Sequence, residues 1–344
     1  MKYKIDITER VLHFKQPAGT SRGIYTTRKS WFLELTSPEM PGRSGVGECA
    51  PLPSLSCDDI PEYGKTLSAL CDKFEQEGVI DYAMMRPYPS MLFGLETALR
   101  HFEAGTTAFF DTPFSRGEEG IPINGLVWMG SYDEMLSRME AKIEQGFHCI
   151  KLKIGAIDFD SELDLLRRIR ERFSHREMTI RLDANGAFRF DEALYKLELL
   201  SQYAVHSIEQ PIAARQWGNM AELCRESPLP IALDEELIGV NQPEMKAHIL
   251  NIIKPAYIVL KPSLHGGMRG TEEWIAAARA KDIGTWITSA LESNVGLNAI
   301  AQLTAHVYGR NIRVPQGLGT GLLFTDNIPM PLEVRGEKLW YAVE

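Results

Sequence analysis

Residues 149–184, CIKLKIGAIDFDSELDLLRRIRERFSHREMTIRLDA, carry the pattern that decides the fold of this chain. Two short apolar runs, at 149–154 and 179–184, flank a charged stretch with helical spacing at 160–173. A strand, a helix and a second strand in this order form a parallel-sheet unit. The runs carry Lys153 and Asp183 at their ends. The segment therefore predicts a parallel sheet with ionisable side chains where its strands end.

The same unit recurs along most of the chain. Apolar runs typical of strands occur at 121–128, 149–154, 179–184, 206–210, 230–235, 256–261, 284–289 and 312–316. Helical spacing lies between them, for example at 131–144, 160–173, 191–203 and 271–280. Eight such strands favour a closed (β/α) barrel. A doubly wound open sheet is the alternative, but no GxGxxG turn supports its dinucleotide-binding form.

The first hundred residues have a different organisation. Polar and apolar residues alternate at 2–14 and 30–36, as they do in strands, and helical spacing follows at 60–76 and 91–104. Strands followed by helices indicate an α+β arrangement. We therefore predict an α+β domain that precedes an α/β barrel.

Composition narrows the class of partner. The chain has 344 residues and a net charge of −9, which argues against nucleic acid and anionic membranes as partners. No apolar run approaches the ~20 residues of a membrane helix. The five cysteines include no CxxC pair, which indicates reduced thiols. We expect a cytoplasmic protein that acts on a small molecule; the oligomeric state stays open.

Ionisable residues are concentrated at the ends of the predicted barrel strands. In chain order they are Lys151 and Lys153, Asp183, Glu209, Asp234 and Lys261. From Lys153 onward the spacings are 30, 26, 25 and 27 residues, or one β/α unit each time. The carboxyl ends of barrel strands meet at one mouth, so these side chains are expected to converge there.

This set of side chains indicates a particular chemistry. Three carboxylates supply the oxygen ligands that Mg²⁺ prefers, and no His or Cys at matching positions favours zinc. A lysine beside a divalent cation has its charged form disfavoured and can act as a base. The pattern predicts removal of a proton next to a carboxylate. Each residue alone is more often a helix cap or a solvated surface group, and only the joint pattern favours a site.

The motifs at these strand ends resemble those of the enolase superfamily, in its muconate-lactonising subgroup. They are Lys151-Leu152-Lys153, Asp183-Ala184-Asn185, Glu209-Gln210-Pro211, Asp234-Glu235 and Lys261-Pro262, with supporting stretches at 47–53, 289–294 and 317–321. The resemblance implies a (β/α)7β TIM-like barrel with an α+β capping domain. It places the capping domain at 1–115, completed by the tail 322–344, and the catalytic barrel at 116–321.

The resemblance also implies roles for single residues. Asp183, Glu209 and Asp234 would be the Mg²⁺ ligands. Lys153 would remove the proton alpha to the substrate carboxylate, with Lys151 beside it and Lys261 opposite, the general chemistry of the superfamily. Glu235 and Asn185 would support these groups from behind, and Glu235 is expected to point away from Asp234 and to hydrogen-bond towards Lys261.

Contacts to substrate are more open. Arg181 either pairs with a substrate carboxylate or balances charge inside the barrel. Ser289 either donates to a substrate carboxylate or caps a helix. The loop that begins at Gly317 either offers main-chain N–H groups to an anion or is a simple loop. Residues 20–23 lie where the resemblance implies a mobile lid over the mouth, with an ordinary exposed hairpin as the alternative.

The implied activity is a dehydration. The lysine that takes the alpha proton would then protonate the departing hydroxyl group, which gives a syn elimination of water. Racemisation or epimerisation of an N-acylamino acid is the alternative, because Lys153 and Lys261 flank the site. Residues 316–320, QGLGT, lack the Asp-x-Asp pair of dipeptide epimerases, which disfavours a free dipeptide. A barrel kept only for binding is the non-enzymatic alternative.

Overall fold

The computed structural model describes residues 1–20 and 23–343. The predicted lid at 20–23 includes Ser21 and Arg22, which lie outside the described residues. As predicted, the chain begins with strands and helices in an α+β arrangement. These elements are β1 (Lys4–Thr20), β2 (Gly23–Thr36), β3 (Ser44–Cys49), α1 (Tyr63–Glu77), α2 (Tyr82–Met85) and α3 (Pro89–Ala104). The strands form an antiparallel sheet in the order β1-β2-β3, called the capping sheet below.

Helix α3 lies unusually close to β3 because glycines line the contact. A Cβ atom on Gly47 would stand 1.9 Å from the carbonyl oxygen of Gly94, and one on Gly45 would stand 2.1 Å from that of Ala98. This close approach lets α3 cover the sheet face and bury Leu33 and Leu35.

The second part of the chain is a parallel barrel with helices outside. Its elements begin with β4 (Ile121–Pro122), β5 (Gly125–Val127), α4 (Tyr132–Glu144), β6 (Cys149–Lys153), α5 (Phe159–Arg172), β7 (Thr179–Asp183), α6 (Phe190–Ser201) and β8 (Ser207–Glu209). They continue with α7 (Trp217–Glu226), β9 (Ile231–Leu233), α8 (Pro243–Ile253), β10 (Tyr257–Leu260), α9 (Gly267–Arg279), β11 (Gly284–Ile287) and α10 (Asn294–Tyr308). Strands β5 to β11 pair in sequence order, which confirms the predicted parallel sheet.

The barrel closes through single bridges and not through a full eighth strand. Gln316 pairs with Ile123, and Gly317 pairs with Thr288. The prediction of a strand at 312–316 is therefore wrong. Pro315 has no N–H to donate to a ladder, and the side chain of Gln316 makes part of the closure, with Oε1 accepting from the N–H of Ile287 at 2.7 Å.

The tail contacts both parts of the chain. Phe324 bridges Phe14 of the capping sheet, whereas the hairpin β12 (Leu332–Arg335) and β13 (Lys338–Tyr341) pairs with β4 through Leu339 and Ile121. Only the start of the tail therefore adds to the capping sheet. The domain limits 1–115, 116–321 and 322–344 stay a prediction.

Two structural facts bear on the predicted setting of the protein. All five cysteines are free thiols, as the sequence predicts. Among the described residues, the helices are too short or too polar to cross a bilayer.

Candidate active site

The predicted strand-end residues converge at one mouth of the barrel. The register of β6 and β7 sets Lys153 beside Asp183, and the register of β7 and β8 sets Asp183 beside Glu209. Asp234 follows directly after β9, and Lys261 follows directly after β10. Parallel pairing thus brings together residues that are up to 110 positions apart in the sequence, from Lys151 to Lys261.

The lysines and acids form two neighbouring groups of ion pairs, one around Asp183 and one between Lys261 and Asp234. Lys151 Nζ lies 2.8 Å from Asp183 Oδ2 and 2.6 Å from Glu209 Oε2. Lys153 Nζ lies 3.2 Å from Asp183 Oδ2, and Lys261 Nζ donates to Asp234 Oδ2. The acids are fully buried, so each charge would be costly without these partners.

The pKa shifts in this network follow from burial and pairing. Burial lowers the pKa of Lys151, but Asp183 and Glu209 outweigh it, so the pKa lies above its ordinary value. Burial raises the pKa of Asp183, but Lys151 and Lys153 outweigh it and hold the pKa below its usual range. The pKa of Glu209 is raised by burial and by repulsion from Asp183. The lysines therefore stabilise the negative charge of Asp183 more than that of Glu209.

The carboxylates fit a hard divalent cation. Glu209 Oε1 and Asp234 Oδ1 are buried and have no hydrogen-bond partner among the described residues. Unpartnered carboxylate oxygens on adjacent strands are the donors that Mg²⁺ takes. In the described part of the chain no three acids, histidines or cysteines are already grouped around a common ion position. Asp183 Oδ2 and Asp234 Oδ2 accept from the ammonium groups of Lys153 and Lys261.

A pocket opens above this network. Its charged floor includes Lys151, Lys153, Asp183, Glu235 and Lys261. Its apolar wall includes Leu52 and Leu55, which follow β3, and Trp128, Trp286 and Leu291 from the barrel. The capping part of the chain therefore supplies one wall and the barrel supplies the floor. Such a pocket suits a small molecule with both a carboxylate and an apolar body.

Asn185 links the floor residues from the turn after β7. Its Oδ1 accepts from Lys153 Nζ at 2.7 Å, and its Nδ2 donates to Glu235 Oε1 at 2.9 Å. Asn185 has a φ of 45°, a left-handed conformation that asparagine tolerates better than most residues. Asn185 thus contacts both Lys153 and Glu235, and its supporting role in the reaction stays a prediction.

Glu235 occupies a different position from the one predicted. Strand β9 ends at Leu233, and Glu235 begins a short 3₁₀ turn, so strand alternation no longer decides where its side chain points. Glu235 lines the pocket and bonds Asn185, and its expected hydrogen bond towards Lys261 is not formed. Burial and the neighbouring Asp234 raise its pKa to about 7.

Comparison with known proteins identifies the family. The Enolase C-terminal domain-like family matches residues 134–338, and the MenC N-terminal domain family matches residues 9–102. An o-succinylbenzoate synthase from Desulfotalea psychrophila is 45% identical over 94% of this chain and 95% of its own length. The chain belongs to the o-succinylbenzoate synthase family.

Solved structures agree with this family assignment. The crystal structure of MenC from Desulfotalea psychrophila covers 99% of this chain and 100% of its own, with a TM-score of 0.85 and 40% identity. A dipeptide epimerase from Enterococcus faecalis complexed with Mg and a dipeptide covers 100% and 98%, with a TM-score of 0.82 and 16% identity. The second likeness shows that the barrel and capping arrangement is shared, and confirms the predicted fold class.

The o-succinylbenzoate synthase family assignment does not by itself decide the substrate contacts. Arg181 pairs with Lys151 in the strand register; it donates to the carbonyl of Pro315 at 2.8 Å, and its guanidinium lies 4.2 Å from the ring centroid of Trp286. Whether it pairs with a substrate carboxylate or balances charge inside the barrel stays a prediction. It is not among the residues that line the pocket.

Ser289 and Gly317 also line the pocket, with different consequences. Ser289 Oγ lies 2.7 Å from Thr320 Oγ1, and the helix cap of α10 is Ser293, so the alternative of Ser289 as a helix cap is wrong. The N–H of Gly317 already donates to the carbonyl of Ile287 at 2.8 Å. It therefore cannot serve an anion in this state, because the barrel closure uses it.

Sequence reasoning missed two residues that position the network. Gln210 is fully buried, and its Oε1 accepts from the N–H groups of Asp234 and Glu236 at 3.3 and 3.2 Å. His265 Nδ1 accepts from the N–H of Lys261 at 2.9 Å. Gln210 lies within the quoted Glu209-Gln210-Pro211 motif, which could have indicated it, whereas His265 carries no comparable pattern.

Proposed function

We propose that this chain is a carbon–oxygen lyase that converts 2-succinyl-6-hydroxy-2,4-cyclohexadiene-1-carboxylate to o-succinylbenzoate. The reaction is an Mg²⁺-dependent syn dehydration and a step of menaquinone biosynthesis, and we place it in the cytoplasm. The observation that carries the proposal is the position of Lys153 Nζ, which lies in the pocket 3.2 Å from Asp183 Oδ2. Membership of the o-succinylbenzoate synthase family supports the choice of substrate.

Asp183, Glu209 and Asp234 would hold the Mg²⁺ ion. When bound, Mg²⁺ supplies positive charge beside the substrate carboxylate, which lowers the energy of the negative charge that develops as the alpha proton leaves. The formal charges of the three lysines nearly cancel those of the three acids and Glu235. With a divalent cation held by Asp183, Glu209 and Asp234, the cluster would be positive, which would favour the neutral amine at Lys153 and the binding of a carboxylate.

Lys153 is the base and then the acid in this proposal. Its neutral amine takes the proton alpha to the carboxylate, and the resulting ammonium gives that proton to the hydroxyl group, which leaves as water. One amine on one face of the ring performs both transfers, so the elimination is syn. Loss of water makes the ring aromatic. Lys261, on the other side of the floor, contributes positive charge near the substrate.

Racemisation of an N-acylamino acid is the second candidate. It is favoured by one observation: both Lys153 and Lys261 line the pocket, so an acid and a base could face a substrate from two sides. A free dipeptide is less suitable. Residues 316–320 carry no acidic side chain, so this loop offers no negative charge to an ammonium group.

The two candidates are separated by offering both substrates to one preparation with Mg²⁺. We expect absorbance to report conversion of the cyclohexadiene substrate to the aromatic product, with a kcat/KM at least ~100-fold above that for an N-succinylamino acid. Deuterium incorporation from solvent into both enantiomers of the amino acid, with no aromatic product, would replace the proposal by racemisation. No reaction with either, despite Mg²⁺ binding, would leave a binding protein.

A further inference from the structure

Two of the stretches that carry the family resemblance meet at the boundary between the capping sheet and the barrel. One is 47–53, at the end of β3, and the other is 289–294, before α10. Leu52 from the first and Ala290 and Leu291 from the second line the pocket and belong to one buried apolar cluster. The pocket-lining residues here lie in 50–55 and 289–292, which are called the two loops below. The relative position of these two loops therefore sets the shape of the apolar wall.

Arg28 joins the two loops from inside the protein. It lies on β2 and is 1% exposed. Its Nη1 donates to the carbonyl of Pro51 at 2.8 Å, and its Nη2 donates to the carbonyls of Ala50 and Ala290 at 2.6 and 3.3 Å. A guanidinium group is planar and rigid, so these bonds fix both the distance and the angle between the loops. Arg28 is not among the residues that line the pocket.

Two buried carboxylates extend this connection on either side. Glu48 accepts from Ser30 Oγ at 2.8 Å, and from Ser293 Oγ and the Gly296 N–H at 2.6 and 3.0 Å, at the start of α10. Glu292 accepts from the Ala290 N–H at 2.6 Å and from Ser263 Oγ. The positive charge of Arg28 is thus balanced by acids that bind the same loops, which stabilises the guanidinium group in its buried position.

We propose that Arg28 is a positioning residue that sets the gap between loops 50–55 and 289–292, and with it the fit of the substrate to the apolar wall. Without its bonds, the two stretches are still joined where Glu48 accepts from Ser293 and by apolar contact, but their pocket-lining parts separate more readily. The lysines and acids of the floor are attached to other strands and keep their places. Loss of Arg28 therefore weakens substrate binding more than it slows the proton transfers.

The test compares two arginines that both donate to main-chain carbonyls but lie in different parts of the protein. Arg170 also donates to main-chain carbonyls, those of Tyr203, Met178, Ala204 and Ser174 at 2.7, 2.8, 3.1 and 3.4 Å, but it lies away from the pocket. We would prepare R28K, R28M and, as the matched control, R170M. The kinetic readout rests on the proposed function; hydrogen exchange of residues 50–55 and 289–292 does not.

For R28M we expect a KM raised about tenfold with kcat within about threefold of the parent, and faster exchange in both loops. R28K keeps the positive charge but loses the planar guanidinium group, so its KM should lie between those of the parent and R28M. R28K also keeps the test decisive if R28M does not fold. R170M should leave KM and the exchange of both loops unchanged. Equal effects of R28M and R170M, or an R28K protein with parental KM and parental loop exchange, would overturn the proposal. If the parent protein does not turn over the substrate, the proposed function fails, and loop exchange alone decides the role of Arg28.

Discussion

Lys153 Nζ lies 2.7 Å from Asn185 Oδ1, and this bond fixes the amine at the edge of the acidic cluster. The same asparagine holds Glu235 through its Nδ2. Asn185 follows β7 in a left-handed turn, so the position of the base depends on a turn residue and not only on the strand that carries it. The amine therefore faces the pocket with one neutral partner and one charged partner, Asp183.

Replacing the base should remove catalysis without unfolding the protein. For K153A we expect kcat to fall by ~10³-fold or more, because a positioned acid–base group contributes about 10² to 10⁴ and Lys153 serves in two steps. K196A is the matched control, since Lys196 pairs with Glu192 on the outer helix α6. Steady-state kinetics and circular dichroism would measure both variants. A K153A enzyme with more than a tenth of parental kcat would contradict the assignment.

The three acids should bind the metal and a neighbouring acid should not. D183N, E209Q and D234N are expected to lose Mg²⁺ binding measured by calorimetry, because each removes one anionic ligand. E236Q is the control: Glu236 is buried beside the site, but its carboxylate accepts from Gln210 and from the N–H of Arg215. Parental Mg²⁺ affinity in all three ligand variants would place the ion elsewhere.

Much of the fold and the site floor follows from the sequence because parallel strands end at one mouth. Because these residues recur once in each β/α unit, their spacing was enough to predict that Lys153, Asp183 and Lys261 lie together. Glu235 was misplaced because strand alternation stops one residue after the strand, where the backbone turns. Such a change depends on local packing, which periodicity does not report.

The contacts between the two parts of the chain were not predictable in the same way. Arg28 meets Ala50 and Ala290, and no spacing in the sequence links these positions. A buried arginine on a strand resembles any other charged residue in a sequence pattern. The prediction of an eighth strand was wrong for a similar reason. The side chain of Gln316 closes the barrel where we expected a ladder of main-chain hydrogen bonds.

The glycine contact between α3 and β3 should be intolerant of a methyl group. In G47A the new Cβ would meet the Gly94 carbonyl, so we expect the free energy of unfolding to fall by about 1–3 kcal/mol or more. Gly218 provides the control, because it lies in the first turn of α7 and a Cβ there would meet no atom within 4 Å outside its chain neighbours and its own helix backbone. G218A should be neutral or up to ~1 kcal/mol more stable. Denaturant unfolding of both variants tests this, and equal stabilities would contradict the packing.

An ion pair between α9 and the capping part should make stability depend on acid pH. Burial raises the pKa of Glu273, but hydrogen bonds from Arg86 and Lys246 outweigh it and lower the pKa to about 2. Because the folded pKa lies below the unfolded one, the contribution is present above about pH 4.5 and is lost as pH falls towards 2. We expect E273Q to lose on the order of 2 kcal/mol at pH 7.

The stability difference between E273Q and the parent should shrink as pH falls below about 4.5. Unfolding at pH 7 and at pH 3.5 measures it. E333Q serves as the control, since the Glu333–Arg335 pair is more than half exposed and exposed pairs contribute little. A difference for E273Q that stays constant between the two pH values would show that the charge on Glu273 is not what stabilises the contact.

The central claim is that this pocket dehydrates its substrate through a cation held by the three acids and a proton moved by Lys153. The most direct measurement is the rate of appearance of o-succinylbenzoate after protein stripped with EDTA is mixed with the cyclohexadiene substrate, before and after Mg²⁺ is restored. We expect no product without the metal, full recovery with it, and no recovery in K153A. Turnover by the stripped protein, or recovery in K153A, would contradict it.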